Sequence, residues 1–253
     1  MIAEDTRFSM CTVRNFYSYF AEIQRKDLPV DLATELRDEL VASGWSAKEL
    51  AKQIVLSEPF RAARKTDPTM TDFVPGSLVV RPEQYTRMIE DLTGFRWITV
   101  PDAAGCASGS NTCWGETDLM VTDRYGYRAM FGGVDGLQVT SAIHGATPTK
   151  MMVMDTYGSE AAGFVVENDF ATSAASRRLL GLVEAGDQEE AKIRAQLVPL
   201  HERILGELVT ADSPEVSATW DLFAAGLAAG DTPEDAWKLV LSAMFQDPRV
   251  LFY

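Results

Sequence analysis

Two of the three cysteines in this 253-residue chain, Cys106 and Cys113, sit in GCASGSNTCWGETD with six residues between them. A structural zinc site takes four convergent Cys, His or carboxylate ligands. No second cysteine or histidine pair stands near these two, and the only histidines are His144 and His201. The spacing is neither the redox-type C-x-x-C nor the C-x-x-C-H of covalent haem attachment. The favoured reading is a disulfide between Cys106 and Cys113, with two reduced thiols as the alternative. Closing so short a ring contributes roughly 2–3 kcal/mol in the loop-entropy account. A bridge would also imply an oxidising compartment. Cys11 lies among the aromatics of the first helix and reads as a small buried hydrophobe.

A second chemically unusual stretch is DRYGYRAMFGGVDG, residues 123–136. Gly132 and Gly133 allow positive φ or close backbone approach, and Asp135 with Gly136 makes a tight turn. Asp123, Arg124, Arg128 and Asp135 could form a small anion or metal pocket. They could equally be charges paired within a structural turn, which is the favoured reading. The spacing fails the calcium-loop pattern. Met151 and Met154 share a helix face in KMMVMD, so core packing outweighs metal ligation there. His201, in PLHERIL, has no adjacent nucleophile motif and reads as a hydrogen-bonded structural histidine. His144 sits in the loop and is the better exposed ligand. No tightly bound transition metal is expected.

These residues must be held by a largely helical frame. Thr6 to Gln24 places Phe8, Cys11, Phe16, Tyr19, Phe20 and Ile23 at helical spacing. A second helix follows with Asp31 as its N-cap and Gly44 as its stop. Ser46 and Glu49 form a capping box for a third, which Pro59 closes. Residues 62–80 read as a linker or crossing segment. Pro82 opens a helix to Gly94, and FRWITV has the composition of a short strand. Residues 101–147 are a long loop, of the kind that is usually functional or specially held. Helices return over 148–169 and over 188–210, the latter broken or kinked at Pro199. Two more begin with a capping residue, Pro and Glu, in DSPEVS and DTPEDA. The expected fold is mainly α: a multi-helix, bundle-like architecture with a long disulfide-stapled loop insertion and at most short strands. Its parts are a three-helix unit (1–61), the 62–80 segment, and a helical unit (81–253) carrying the loop, either separate or packed as one domain.

Composition narrows the partners. The 37 acidic and 23 basic residues give a formal charge of −14, which disfavours nucleic acid and anionic lipid. No apolar run approaches the ~20 residues of a membrane helix, and no signal peptide is visible at the start.

Several stretches, taken in order, resemble the helical C-terminal portion of planctomycete-type, cytochrome-c-associated secreted bacterial proteins, a group of domains of unknown function. They are DTRFSMCTVRNFY (5–17), DLATELRDELVASGWSAKELAKQIVLSEPFR (31–61), RPEQYTRMIEDLTG (81–94), YRAMFGGVDG (127–136), LHERILGE (200–207) and AWKLVLSAMFQDPRVLFY (236–253). The resemblance implies a periplasmic or extracellular helical module found near or fused to a c-type haem domain. It implies a chain that begins where the middle of a longer protein stands, and it transfers no catalytic residue. With no haem motif of its own, the chain would meet haem only through a partner.

The leading expectation is a non-catalytic periplasmic accessory protein that docks onto a redox or other envelope assembly, with a c-type cytochrome as one such partner. The cytoplasm becomes the expected location if the cysteines are reduced. The alternative is a secreted enzyme acting on a small molecule or polymer, its site on the 101–147 loop. In either case the loop's Trp114, Tyr125, Arg128, Asp135 and His144 are the candidate binding residues. Trp114 and Tyr125 are the expected exposed anchors, since recognition residues gather on loops held by rigid scaffolds.

Overall fold

In a computed structural model of the chain, the residues described are 5–62, 78–99, 117–143 and 145–252. The structure is mainly helical, and the chain divides into two compact units, Met1–Leu78 and Val79–Tyr253. Residues 63–77 of the expected linker lie outside the described set.

The first unit contains α1 (Thr6–Ala21), α2 (Val30–Ala42), α3 (Ala47–Leu56) and the single turn α4 (Glu58–Arg61). Asp5 caps α1 by accepting from the Arg7 N–H at 2.9 Å. The buried stripe of α1 is Ser9, Val13, Tyr17 and Ala21, a strict four-residue spacing that lays one narrow line of side chains on α2 and α3. Phe8, Cys11 and Tyr19 instead point outward: Tyr19 is 71% exposed and Cys11 is an exposed free thiol. The expected burial of Cys11 is therefore corrected. The aromatics at 8, 16, 19 and 20 spread over more than one side of the helix, and only part of them can face the core. Two boundary expectations also shift. The N-cap of α2 is Pro29, with Asp31 in the first turn, where its charge still complements the helix dipole. Pro59 sits inside the first turn of α4 rather than closing α3, a position that needs no N–H. Ser46 does cap α3, accepting from the Glu49 N–H at 3.3 Å.

The second unit runs α5 (Pro82–Thr93), β1 (Ile98–Thr99), β2 (Thr117–Asp118), α6 (Tyr127–Met130), α7 (Pro148–Phe170), α8 (Glu190–Leu200), α9 (Pro214–Ala229), α10 (Pro233–Phe245) and α11 (Pro248–Leu251). The strands pair antiparallel with Ile98 opposite Asp118. They are the only paired strands among the described residues. α7 packs on α10, α10 on α9, and α9 on α8. Val153, Met154, Tyr157 and Val165 of α7 meet Trp237, Leu241 and Phe245 of α10 in one core. Met154 is fully buried there, but Met151 is 38% exposed. The two residues thus share less of a face than their spacing suggests. Thr147 caps α7, accepting from the Lys150 N–H at 3.1 Å. The unit closes on itself, with Val80 N–H donating to the Leu251 carbonyl at 2.9 Å.

The expected 101–147 loop holds more structure than its composition suggests: within it lie β2 and α6. Gly126, at φ +78°, starts α6, and Gly132, at φ +100°, ends it, conformations in which glycine avoids the Cβ penalty. At Gly133 the constraint is space, since a Cβ there would lie 2.9 Å from both Arg128 Cγ and Pro82 Cγ.

Candidate functional site

Among the candidates expected from sequence, Cys106, Cys113, Trp114 and His144 lie outside the described residues. The other three have definite places. Tyr125 is 43% exposed, with the Arg124 guanidinium carbon 5.7 Å from its ring centre. Arg128 bridges two carboxylates, donating to Glu83 Oε1 at 2.7 Å and Asp123 Oδ1 at 3.0 Å. Asp135 Oδ1 accepts from the backbone N–H groups of Leu137, Gln138 and Val139 at 2.9, 2.8 and 2.7 Å. Those amides, that of Val139 first, hold the Asp135 carboxyl below its usual range. Arg128 and Asp135 thus fasten separate turns, and no hydrogen bond or ion pair joins them among the described residues. No cluster of three His, Cys, Asp or Glu side chains that could hold a metal ion occurs among the described residues.

A different constellation forms around His201. Pro199 sits inside α8 and has no N–H to offer the carbonyl one turn earlier. After Leu200 the backbone widens into a π turn, His201–Leu205, which ends at Gly206 with φ +68°. Such turns recur at functional sites. The left-handed glycine folds the chain back so that the Glu207 N–H donates to the His201 carbonyl at 3.2 Å. This return places the Glu207 side chain beside the imidazole, with Nδ1 to Oε2 at 3.0 Å. On the opposite edge, His201 Nε2 lies 2.9 Å from the Thr219 hydroxyl of α9. The ring is 2% exposed, while Thr219 is half-buried.

Glu207 is anchored from a third side. Arg249 Nη1 donates to its Oε1, and the same guanidinium grips Asp247 through Nε at 2.7 Å and Nη2 at 2.6 Å. Asp247 is also the N-cap of α11, accepting from the Arg249 N–H at 2.8 Å. The His201 ring and then Arg249 hold the Glu207 carboxyl below its usual range. Arg249 does the same for Asp247. Beside this chain of groups lies a cleft of about 340 Å³. Leu205, Leu222, Val240 and Met244 form its apolar lining, and Thr219 and Arg249 also face it.

His201, expected from sequence to be a hydrogen-bonded structural histidine, is hydrogen-bonded to Glu207 and Thr219, partners not expected from sequence. A local signal was present in HERILGE: a glycine stop followed at once by a carboxylate sends that carboxylate back along the last helical turn. Thr219 and Arg249 arrive from separate helices, and no spacing rule connects them to His201. Compared with protein-family models, with curated proteins and with solved structures, the chain matches none.

Proposed function

We propose that the protein is a helical accessory protein of the cell envelope that docks onto a redox assembly through the segment around residues 117–152. One observation carries this reading. Val121, Tyr125, Met130, Leu137, Ile143 and Met152 are all large apolar side chains at least 37% exposed. They lie in a stretch with three acidic residues (Asp118, Asp123, Asp135) and three basic ones (Arg124, Arg128, Lys150), whereas the whole of residues 79–253 has 25 acidic against 13 basic. Exposed apolar residues in a charge-balanced stretch of an otherwise acidic unit suit a protein interface, which is enriched in aromatic residues, Met and Arg.

The envelope location and a c-type cytochrome as partner rest on the resemblance of the quoted stretches. In this reading haem belongs to the partner, and a Cys106–Cys113 bridge staples the 101–147 loop, which overlaps this segment. No helix among the described residues is long and apolar enough to cross a membrane.

The test is purification of the native protein with its partner, followed by haem absorption of the complex, for wild type and Tyr125→Glu. The variant should lose the partner and the haem signal while keeping its melting temperature. Retention of both would remove the segment from the docking surface. Alkylation without reductant should label Cys11 alone; labelling of all three cysteines would remove the bridge.

A further inference from the structure

We propose that Thr219, His201 and Glu207 form a hydroxyl–imidazole–carboxylate relay that hydrolyses carboxylic esters with a short apolar acyl group, an activity independent of the docking role. The argument begins with proton placement. Glu207 is held as a carboxylate by His201 and Arg249, so the nitrogen facing it at 3.0 Å, Nδ1, carries a hydrogen. In a neutral ring, Nε2 then presents its lone pair to the Thr219 hydroxyl at 2.9 Å. The hydroxyl has one proton and two acceptors in reach, Nε2 and the Glu215 carbonyl at 3.0 Å. The order of groups and their spacing are those of an activated nucleophile whose base is oriented by a third group.

Burial gives the relay a direction. His201 is 2% exposed and Thr219 is half-buried, and both line the cleft. The hydroxyl is thus the more open of the two to anything bound there. Leu205, Leu222, Val240 and Met244 offer an apolar wall for an acyl chain, and the lining residues Glu215 and Asp247 disfavour an anionic substrate. Of the five N–H groups of an arginine, Arg249 directs three at Asp247 and Glu207, and the other two, which make no hydrogen bond among the described residues, are assigned to an oxyanion.

In the reaction, Thr219 Oγ1 attacks the ester carbonyl carbon as its proton passes to His201 Nε2. The carbonyl electron pair moves onto oxygen, facing Arg249. As that pair returns, the bond to the alcohol oxygen breaks and Nε2 gives its proton to the departing alkoxide. Water then attacks the acyl-threonine, its proton going to Nε2. The bond to Oγ1 breaks, the hydroxyl regains its proton, and a carboxylic acid leaves. Ester and water become acid and alcohol. Thr219, His201 and Arg249 are the catalytic residues; Glu207 positions the ring.

The experiment uses the full chain with 4-nitrophenyl butyrate and, separately, a fluorophosphonate probe. Wild type should hydrolyse the ester, and Thr219→Ala should lower kcat/KM by at least about 100-fold, because the nucleophile is removed. Thr219→Ser should restore activity. Glu207→Gln should lower kcat at an unchanged KM. Peptide mapping should find the phosphonate on Thr219. His201 is buried, so circular dichroism accompanies every variant, and the wild-type probe result stands without any substitution. Hydrolysis no faster than buffer, activity unchanged in a folded Thr219→Ala, or an adduct on another residue would each overturn the proposal.

Discussion

Between Thr117 and Ile143, carboxylates and guanidinium groups are spent at the surface on turns and on one another, and large apolar side chains are left in water. Around His201 the arrangement is inverted at its centre, because the imidazole is buried between the half-buried Thr219 and Glu207, with Arg249 exposed behind them, and apolar residues line a cleft beside it. The charged groups are similar in kind. Asp135 binds three amides, and Glu207 binds an imidazole and a guanidinium. What differs is the partner, since the imidazole that Glu207 holds is 2% exposed. An exposed ion pair is worth little because water competes for both members, whereas a buried hydrogen-bonded group costs its full desolvation when its partner is removed. The first region can therefore change its charges cheaply and present a surface, and the second must keep its partners together.

That contrast is broken most directly by removing one group from each side. His201→Ala takes away a buried ring and both of its hydrogen bonds, at an expected cost of about 3 kcal/mol. Arg128→Ala removes two exposed ion pairs and should cost less than about 1 kcal/mol. Calorimetry of the second unit's transition measures both. Equal losses would show that the turn around Arg128 is as tightly coupled to the core as the histidine.

Acid should sharpen the contrast at intermediate size. Glu207 and Asp247 have folded-state values lowered by His201 and Arg249, so the unfolded chain binds protons more readily than the folded one. Their contribution is complete above the unfolded carboxylate range, near pH ~4.3, and is lost as pH falls below it through the lowered folded values. Melting temperature should fall on acidification below that range. Glu207→Gln should flatten part of the fall, because one proton-linked group is gone. An unchanged acid limb would mean that the Glu207 contacts contribute no proton-linked stability.

How much of this could be read in the sequence depends on the range of the interaction. Pro82, Pro214, Pro233 and the capping Ser46 and Thr232 announce helix starts because an N-terminal turn is satisfied by its own neighbours. The outward turn of Phe8, Cys11 and Tyr19 was hidden, since periodicity marks several apolar faces and only packing selects Val13 and Tyr17. Asp135 and Gly136 were legible as a turn, because an Asp side chain caps amides two to four residues on. The relay was half legible. Glu207 returns to His201 through a local glycine stop, but Thr219 lies 18 residues away on another helix, and Arg249 is 42 residues from Glu207. Only the packing of α8, α9 and α11 brings them to one cleft.

The smallest expected effect on stability is the most discriminating for the docking surface. Leu137 and Leu208 are 89% and 90% exposed, one in each region, so neither buries area that a substitution could forfeit. Leu137 keeps its backbone bond to Asp135 Oδ1 whatever its side chain, and Leu208 directly follows Glu207. Leu137→Glu and Leu208→Glu should each change stability by no more than about 0.5 kcal/mol, and each adds the same charge. Binding should separate them. If the partner lies over residues 117–152, a carboxylate at 137 must be desolvated or excluded at the interface, and affinity should fall at least about tenfold, the ratio that 1.4 kcal/mol represents. The same charge at 208 stays in water and should leave affinity unchanged. Titration of the purified partner into the two variants measures both. A loss at 208 with none at 137 would move the docking surface to the side of the molecule that carries the relay.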